Sequence, residues 1–437
     1  MRIRTTRFLG LTAAVATVVT AAACGSSSSG GGSKTAATDA NAPATITWWH
    51  NGTADPLLTL WQQTADGYHA AHPNVTIKPD PIQNEQFQTK VPLALQGNTP
   101  PTLYQQWGGG GEKSQLSSGK VLDLTSAVSS WIGEIGQAAS RWQVDGKQYG
   151  IPYEQHVVGF WYRKDLFTKA GITAPPTTMD DLNADVAKLK AAGITPISIG
   201  SKDRWPDAFW WEYFAVRECS VDTLKSQIAA LKLTDPCFKK AGDDLSAFMA
   251  TKPFQDSFLG TPAQQGAGSS AGLLANGQAA MELQGDWEGG VMKSLSTDSQ
   301  LPSKTGWFPF PTVPGGQGDP KAVLGGGDGF SCTKGAPPAC ADFLKYIDSP
   351  EVQTKIASQG VGLPVNPQAA SALTDPTLQS VFQYDQQASY VQTYFDIAMP
   401  TNVGQALDSA VADFFAGKGS PQTILDSVSS TAGGSNK

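Results

Sequence analysis

The sequence predicts an α/β protein with more than one βαβ unit, and three observations support this prediction. Short apolar runs rich in β-forming residues alternate with amphipathic stretches of helical period. The chain has 437 residues, which is enough for two or three packed units. Hydrophobic residues make up 40% of it, which fits a globular protein with a sizeable core, and charged residues make up 16%, below the ~25% of an average domain.

The first βαβ unit is predicted near the start of the globular part. Residues 46–49 are predicted to form a strand, 56–71 a helix and 75–79 a second strand, and a further strand is predicted at 102–107. The helix is predicted from apolar residues at helical spacing, namely Leu57, Leu58, Trp61, Ala65 and Tyr68. Because a helix separates the two strands, we expect them to pair in parallel.

A second unit of the same kind is predicted in the middle of the chain. Thr178 and Asp181 have the spacing of a capping box, and an apolar stripe of helical period follows over 182–189. A strand is predicted next, at 196–200. The last predicted helix covers 403–415 and ends before Gly417.

The N-terminal segment has the pattern of an export signal. Three arginines precede an apolar run at 9–23, which is shorter than the ~20 apolar residues of a membrane-spanning helix. The run ends in three alanines and Cys24, an order similar to the bacterial lipobox, in which the cysteine carries lipid. We expect residues 1–23 to be a signal peptide and 24–44, rich in Ser and Gly, to be a flexible tether. The alternative is an ordinary secretory signal with an incidental Cys24.

The charge balance excludes one class of partner. The formal net charge is −7, and cleavage of the signal would remove three arginines and leave a more acidic chain. Nucleic-acid binding needs a basic surface, so no nucleic acid is expected as a partner. A ligand held by neutral hydrogen bonds fits this balance better.

Four further cysteines, Cys219, Cys237, Cys332 and Cys340, predict two disulfides in an exported chain. Three pairings are possible, and we favour Cys219–Cys237 and Cys332–Cys340 because the partners are near in sequence. A zinc site is the alternative, but no two of these cysteines have C-x-x-C spacing.

Aromatic, amide and carboxylate residues follow several predicted strands. Because ligands of open α/β sheets bind beyond the carboxyl ends of strands, these positions are candidate ligand contacts: His50, Asn51, Trp107, Asp286, Trp287 and Asp328. Trp side chains pack on the C–H faces of sugar rings, while amides and carboxylates bind the hydroxyls. The alternative for any one of the 12 Trp residues is a place in the core, with Trp205 and Trp287 the best candidates for binding.

Several ordered motifs resemble the family of extracellular solute-binding proteins that includes the maltose-binding protein. The similarity runs from about residue 46 to 428, with its most specific part at 146–153 (GKQYGIPY) and 161–167 (WYRKDLF). Residues 280–287 (AMELQGDW) are similar to the strand and turn that deliver a sugar-stacking Trp in the family. Further matches are FLKYIDSPEV at 343–352, GLPVN at 362–366 and FFAGK at 414–418.

The resemblance implies a two-lobed α/β fold of the periplasmic-binding-protein type, with discontinuous lobes joined by a hinge. It implies residues 45–155 plus 328–375 for lobe one and 156–327 plus 376–437 for lobe two. The implied protein is a lipid-anchored sugar receptor of an ABC importer, of an actinobacterial type, lying on the outer face of the cell membrane. We expect a monomer with a sugar ligand and the permease subunits as partners, and no cofactor.

The resemblance also implies ligand contacts beyond the strand ends. Position by position it adds Gln106, Glu154, His156, Trp205, Asp207 and Asp396. His156 stands where the family has a carboxylate next to the hinge, with Glu154 as its substitute. The family's Trp near the last helical region falls near Gly404, which leaves Asp396 as the nearest polar candidate.

A secreted carbohydrate-active hydrolase is the rival hypothesis. The sequence G-x-S-x-G occurs at 268–272, but all four His residues precede Ser270, so no later His is there to serve as its base. We expect this segment to be a flexible loop and the protein to be a non-enzyme. His69 and His72, three residues apart, are interpreted as a solvated helix face, and no metal site is expected.

Overall fold

The computed structural model describes residues 39–434, apart from the side chains of Glu85 and Gln137. The predicted signal peptide, Cys24 and most of the predicted tether lie outside the described residues. Within the described part no helix is both long enough and apolar enough to cross a membrane.

Twelve strands and eighteen helices are formed by the described residues. The strands are β1 Ala44–His50, β2 Val75–Pro81, β3 Leu103–Gln106, β4 Gln143–Val144, β5 Lys147–Gln148, β6 Ile151–Arg163, β7 Thr195–Ser198, β8 Ala279–Gly285, β9 Thr305–Phe308, β10 Ala322–Cys332, β11 Leu363–Pro364 and β12 Tyr390–Thr393.

The helices alternate with these strands along most of the chain. They are α1 Leu57–Ala71, α2 Asn84–Gln96, α3 Gly109–Leu116, α4 Thr125–Val128, α5 Lys164–Lys169, α6 Met179–Ala191, α7 Trp205–Glu218, α8 Val221–Ala230, α9 Pro236–Ala250, α10 Ser270–Ala275, α11 Glu288–Leu295, α12 Leu301–Lys304, α13 Ala339–Ile347, α14 Pro350–Gln359, α15 Pro376–Gln386, α16 Phe395–Ala398, α17 Thr401–Phe415 and α18 Pro421–Gly434. Short 3-10 segments lie at Ile132–Trp142, Ser201–Asp203, Phe258–Gly260 and Pro367–Ala372.

Ten of the strands form one mixed sheet in the order β2-β1-β3-β10-β6-β8-β7, with β9 and β11 paired to β6 and β12 paired to β10. The β1–β2 and β7–β8 pairs are parallel, as the intervening helices predict. β10 is antiparallel to both β3 and β6. The long β6 and β10 thus join two sets of parallel strands.

The described residues form four apolar clusters, and the two largest lie along this sheet as separate cores. One contains Ile46, Trp48, Trp61 and other residues from 46 to 153 and from 330 to 365. The other contains residues from 158 to 324 and from 394 to 428. β6 contributes Tyr153 to the first core and Val158 to the second, and β10 contributes Phe330 and Leu324 in the same way. The architecture is the two-lobed α/β fold that the sequence predicts.

Several predicted local features are confirmed. Thr178 caps α6 with a full capping box, because its side chain accepts from the backbone of Asp181 and the Asp181 side chain accepts in return. Both favoured disulfides, Cys219–Cys237 and Cys332–Cys340, are formed. The helix α18, which follows α17, was missed by the sequence reading.

The expectation that Asp328 follows a strand is wrong, since Asp328 lies inside β10. Sequence patterns do not identify the whole strand, because it contains glycines at 325–327 and 329 and glycine has a low strand preference. The fold requires them: a Cβ on Gly325 would lie 2.2 Å from the carbonyl oxygen of His156 on β6.

The expectation of a flexible loop at 268–272 is also wrong. Ser269 caps the N-terminus of α10 by accepting from the backbone of Gly272, and Ser270 is the first residue of that helix. The Ser270 hydroxyl is buried and donates to the carbonyl oxygen of Ala263 at 3.0 Å. It is therefore not an exposed nucleophile.

Candidate functional site

A cleft with about 1240 Å³ of free space, counting its solvent-open part, lies where β6 and β10 pass between the two cores. Its lining comes from the β1–α1 loop, the start of α2, the middle of β6 and β10, and segments around α7, α11 and α16. The polar and aromatic lining residues are Asn51, Thr53, Asp55, Gln83, Asn84, Gln88, Trp107, Glu154, His156, Asp203, Trp205, Phe209, Gln264, Gln265, Trp287, Asp328, Tyr394 and Asp396.

Four aromatic side chains form a continuous wall of this cleft. The rings of Trp287 and Trp205 have centroids 6.3 Å apart, Trp205 and Phe209 5.3 Å, and Phe209 and Tyr394 5.2 Å. A further aromatic, Trp107, packs edge-on against Phe87 of α2 at 5.5 Å. Such a wall offers apolar faces several ångströms long beside polar groups.

Trp287 owes its position to the residues on both sides of it. Its ring packs over Gly285, where an added Cβ would lie 2.2 Å from the indole. The ring also meets His156 edge-on, with centroids 4.6 Å apart. Gly285 is therefore required for the Trp287 ring to lie back over the end of β8.

A cluster of titratable groups forms part of the cleft lining. His156 Nδ1 lies 3.1 Å from Asp286 Oδ1, and His156 Nε2 lies 3.3 Å from Glu154 Oε1 and 3.6 Å from Asp328 Oδ2. All four side chains are buried. They come together because Asp328 on β10 pairs with Glu154 on β6. The end of β8 pairs Gly285 with Val158, and the next residue, Asp286, accepts from the backbone of Val157.

For both Glu154 and His156, burial shifts the pKa in one direction and an oppositely charged neighbour shifts it in the other. Burial raises the pKa of Glu154 to about 7, although the nearby His156 lowers it. For His156, burial alone would lower the pKa, but the Asp286 and Glu154 carboxylates outweigh burial and raise the pKa well above its usual value. The imidazole is thus held in a strongly negative environment.

The ionisable side chains that line the cleft are almost all acidic. Asp55, Glu154, Asp203, Asp328 and Asp396 line it together with His156, and no Lys or Arg occurs among the described lining residues. Burial raises the pKa of Asp396 to about 6. An anionic ligand would meet repulsion here and no cationic clamp.

Eight of the twelve residues predicted to bind ligand line the cleft: Asn51, Trp107, Glu154, His156, Trp205, Trp287, Asp328 and Asp396. They lie in or just after β1, β3, β6, β8 and β10, at the first residue of α7 and in α16, so the structure brings together residues far apart in sequence. Ligand contact by each of them stays a prediction.

The other four predicted residues lie beneath the lining. His50 is buried against Trp48, and burial lowers its pKa to about 3, so it is neutral. The Gln106 side chain accepts from the backbone nitrogens of Trp107 and Gly108 and so shapes the loop after β3. Asp207 accepts from the Ser201 hydroxyl at 2.6 Å, and Asp286 accepts from the backbone of Val157 and Leu363. The structure gives these four a supporting position.

Some lining residues were missed by the sequence reading. Gln83 and Asn84 come soon after the end of β2, and Tyr394 directly follows β12. The rule that ligands bind beyond strand ends applies to all three, but β12 was not predicted and the end of β2 was placed two residues early. Gln264 and Gln265 lie in an irregular segment that no sequence pattern marks.

Comparison with known proteins gives matches over most of the chain. The family model described as bacterial extracellular solute-binding protein matches residues 26–354. An "Uncharacterized ABC transporter extracellular-binding protein" of Pyrococcus horikoshii is 24% identical over 255 residues, 56% of each chain. A "Probable sugar-binding periplasmic protein" of Mesorhizobium japonicum is 25% identical over 181 residues, 40% of this chain and 42% of that one. The chain thus spans about half the length of the curated relatives it matches.

Solved structures share the fold more completely. A structure from work on xylan utilisation by Caldanaerobius polysaccharolyticus superposes with a TM-score of 0.81. The match covers 88% of this chain and 98% of that one at 24% identity. At this identity the match establishes the shared fold.

Proposed function

Because the chain belongs to the family of bacterial extracellular solute-binding proteins, we propose that it is the substrate-binding component of an ABC importer. It binds a neutral mono- or oligosaccharide in the cleft and delivers it to the permease subunits. Hinge motion about β6 and β10 closes the cleft on the ligand, and ligand favours the closed form to the extent that it contacts that form better.

The observation that carries this proposal is the composition of the cleft lining. Trp107, Trp205 and Trp287 offer flat apolar faces, and carboxylates and amides next to them accept and donate hydrogen bonds as sugar hydroxyls require. Lys and Arg are missing from the described lining, which disfavours phosphate, carboxylate and uronic-acid ligands. The names of the sugar-binding relative and of the xylan-utilisation structure agree with this ligand class.

The two cores support the proposed lobes. Lobe one, at 45–155 plus 328–375, would enclose the core of Ile46 and Phe330. Lobe two, at 156–327 plus 376–437, would enclose the core of Val158 and Val428. The boundaries fall in the middle of β6 and β10, where Glu154, His156 and Asp328 line the cleft.

The test is a thermal-shift screen of mono- and oligosaccharides followed by calorimetry with the best ligand. A ligand at 100 times its Kd adds about 2.7 kcal/mol to the free energy of unfolding, which a melting curve resolves. We expect neutral saccharides to raise the melting temperature and uronic acids to leave it unchanged. A response to uronic acids or peptides alone would contradict the proposed ligand class.

Chromatography of the recovered ligand separates the receptor from the rival hydrolase. We expect the saccharide to be recovered intact after long incubation, because the one serine in a hydrolase-like motif, Ser270, is buried and bonded to backbone. Recovery of a shortened saccharide would make the protein an enzyme.

The proposed location is the outer face of the cell membrane, with lipid on Cys24 as the anchor. The apolar run that ends at Cys24 and the Ser- and Gly-rich residues after it support this. We propose that the receptor acts as a monomer tethered beside its permease.

A further inference from the structure

Three donor atoms converge in the cleft with a spacing suited to one small cation. They belong to Glu154, His156 and Asp328, each of which offers one ligand atom within 4.8 Å of the other two. Nε2 lies 3.3 Å from the Glu154 oxygen and 3.6 Å from the Asp328 oxygen, both longer than an ordinary N–H···O hydrogen bond. Atoms about 2 Å from a common metal ion are separated by similar distances.

The imidazole is oriented from behind by a fourth residue. Asp286 Oδ1 lies 3.1 Å from His156 Nδ1 and also accepts from the backbone of Val157, while Asp286 Oδ2 accepts from the backbone of Leu363. A carboxylate held in this way keeps a proton on Nδ1, so a metal ion that displaces the Nε2 proton meets the Nε2 lone pair on the side of Glu154 and Asp328. Metal-binding histidines almost always have such a partner on the other ring nitrogen.

The cluster is rich in buried acceptor oxygens. Three carboxyl groups, of Glu154, Asp286 and Asp328, surround one imidazole, and each of the four residues is at most 9% exposed. Glu154 Oε2 is buried and has no hydrogen-bond partner. A buried polar oxygen without a partner is costly, so the cluster favours a bound cation.

From this geometry we infer that Glu154, His156 and Asp328 bind one divalent transition-metal ion, with Zn²⁺ or Mn²⁺ as the best fit. One imidazole and two carboxylates favour such ions over Mg²⁺ and Ca²⁺, which prefer oxygen ligands alone. Because the three residues line the cleft, its interior supplies the remaining coordination positions to water or to a ligand hydroxyl. The inference rests on the cluster and does not depend on the saccharide proposal.

The test is calorimetry of chelator-treated, dialysed protein with ZnCl₂ and with MnCl₂, in the absence of saccharide. We expect one site per chain in the wild type. Glu154→Gln and Asp328→Asn should each weaken metal binding by at least ~10-fold, and Asp286→Asn, which acts through the imidazole, should weaken it by about 10- to 100-fold. Asp203→Asn is the matched control, because Asp203 lines the same cleft outside the cluster and should leave metal binding unchanged.

Co²⁺ gives an independent readout, since its visible spectrum changes when an imidazole binds it. We expect the spectrum of the wild type and its loss in His156→Gln, with circular dichroism melting curves to verify that each variant is folded. Absence of binding, or binding unaffected in folded Glu154→Gln and Asp328→Asn, would overturn the inference. Saccharide calorimetry in the presence of chelator tests the receptor function separately. Failure to bind any saccharide would contradict the receptor function alone, whereas the ZnCl₂ and MnCl₂ titrations decide the metal site.

Discussion

Trp287 lines the cleft and contacts His156 and Trp205, so it can contribute both to ligand binding and to packing. The two contributions are distinguished by measuring affinity and stability in the same variant. We expect Trp287→Ala to weaken saccharide binding by about 1–3 kcal/mol, by analogy with the stacking of bases on aromatic side chains. Calorimetry measures the loss of affinity, and a melting curve measures stability.

Trp161 provides the contrasting control for this prediction. It is fully buried and its indole nitrogen donates to the Gly285 carbonyl oxygen at 2.8 Å. Trp161→Ala should lower the free energy of unfolding by about 3–5 kcal/mol. An unchanged Kd in folded Trp287→Ala, or a stability loss as large as that of Trp161→Ala, would show that Trp287 is a core residue.

Glu112 predicts a pH dependence of stability. Burial raises its pKa to about 8, and neither carboxyl oxygen has a hydrogen-bond partner. Between an unfolded pKa of about 4.5 and the folded value of about 8, the folded chain holds a proton that the unfolded chain has lost. Stability therefore falls as pH rises through this window, by up to ~1.4 kcal/mol per pH unit.

Glu112→Gln removes this proton and should flatten the pH dependence. Urea unfolding of the variant and the wild type at pH 5 and pH 8 measures the effect, and we expect the variant to gain relative stability at pH 8. Glu134→Gln, at an exposed position, is the matched control. Parallel pH profiles of Glu112→Gln and the wild type would contradict the assignment.

Among the elements, the disulfides close loops of different length. Cys219–Cys237 spans 18 positions and Cys332–Cys340 spans 8. The chain-entropy model gives about 3 kcal/mol for the longer loop and about 2.5 kcal/mol for the shorter. We expect the Cys219→Ser/Cys237→Ser double variant to lose slightly more stability than the Cys332→Ser/Cys340→Ser double variant. Denaturant unfolding of the two under non-reducing conditions checks this order, and no loss in either would contradict the model.

The elements that sequence predicts best are those with strong local signals. The helix at 56–71 and the strand at 46–49 were found within two residues of α1 and β1, because a periodic apolar pattern identifies each. The extent of β10 was not predicted, because its glycines are required by the close approach of the β6 backbone, and no local sequence pattern encodes that contact. The positions of β6 and β10 are determined by their pairing with each other and with neighbouring strands.

The residues of the candidate site also differ in how well the sequence predicts them. Trp107 directly follows β3 and Trp287 lies two residues after β8, so both were predicted from their places near strand ends, with the family resemblance as further support for Trp287. Glu154 and Asp328 were predicted separately, but their pairing across β6 and β10 and the orientation of His156 by Asp286 come from strand register. His50 lies at the end of β1, as predicted, but its side chain points into the core and not into the cleft, because side chains alternate between the two faces along a strand.

At the scale of the whole molecule, the proposed lipid on Cys24 predicts where the protein is located. We expect the wild type in the membrane fraction and the Cys24→Ala variant in the medium, because removal of the lipid leaves no other anchor in the proposal. Cell fractionation with immunoblotting checks this. A Cys24→Ala protein that stays with the membrane would contradict the lipid anchor.

The place of β10 in the sheet also dictates the order in which the fold is completed during synthesis. β3 has β1 on one side and β10 on the other, yet β10 begins only at Ala322, far later in the chain. While the intervening residues are made, the backbone of Leu103–Gln106 has one unpaired edge, and such an edge is a template for pairing with other chains. The sheet around β3 can therefore be completed only after β10 has been synthesised. In a nascent chain that stops before Ala322, one edge of β3 stays unpaired.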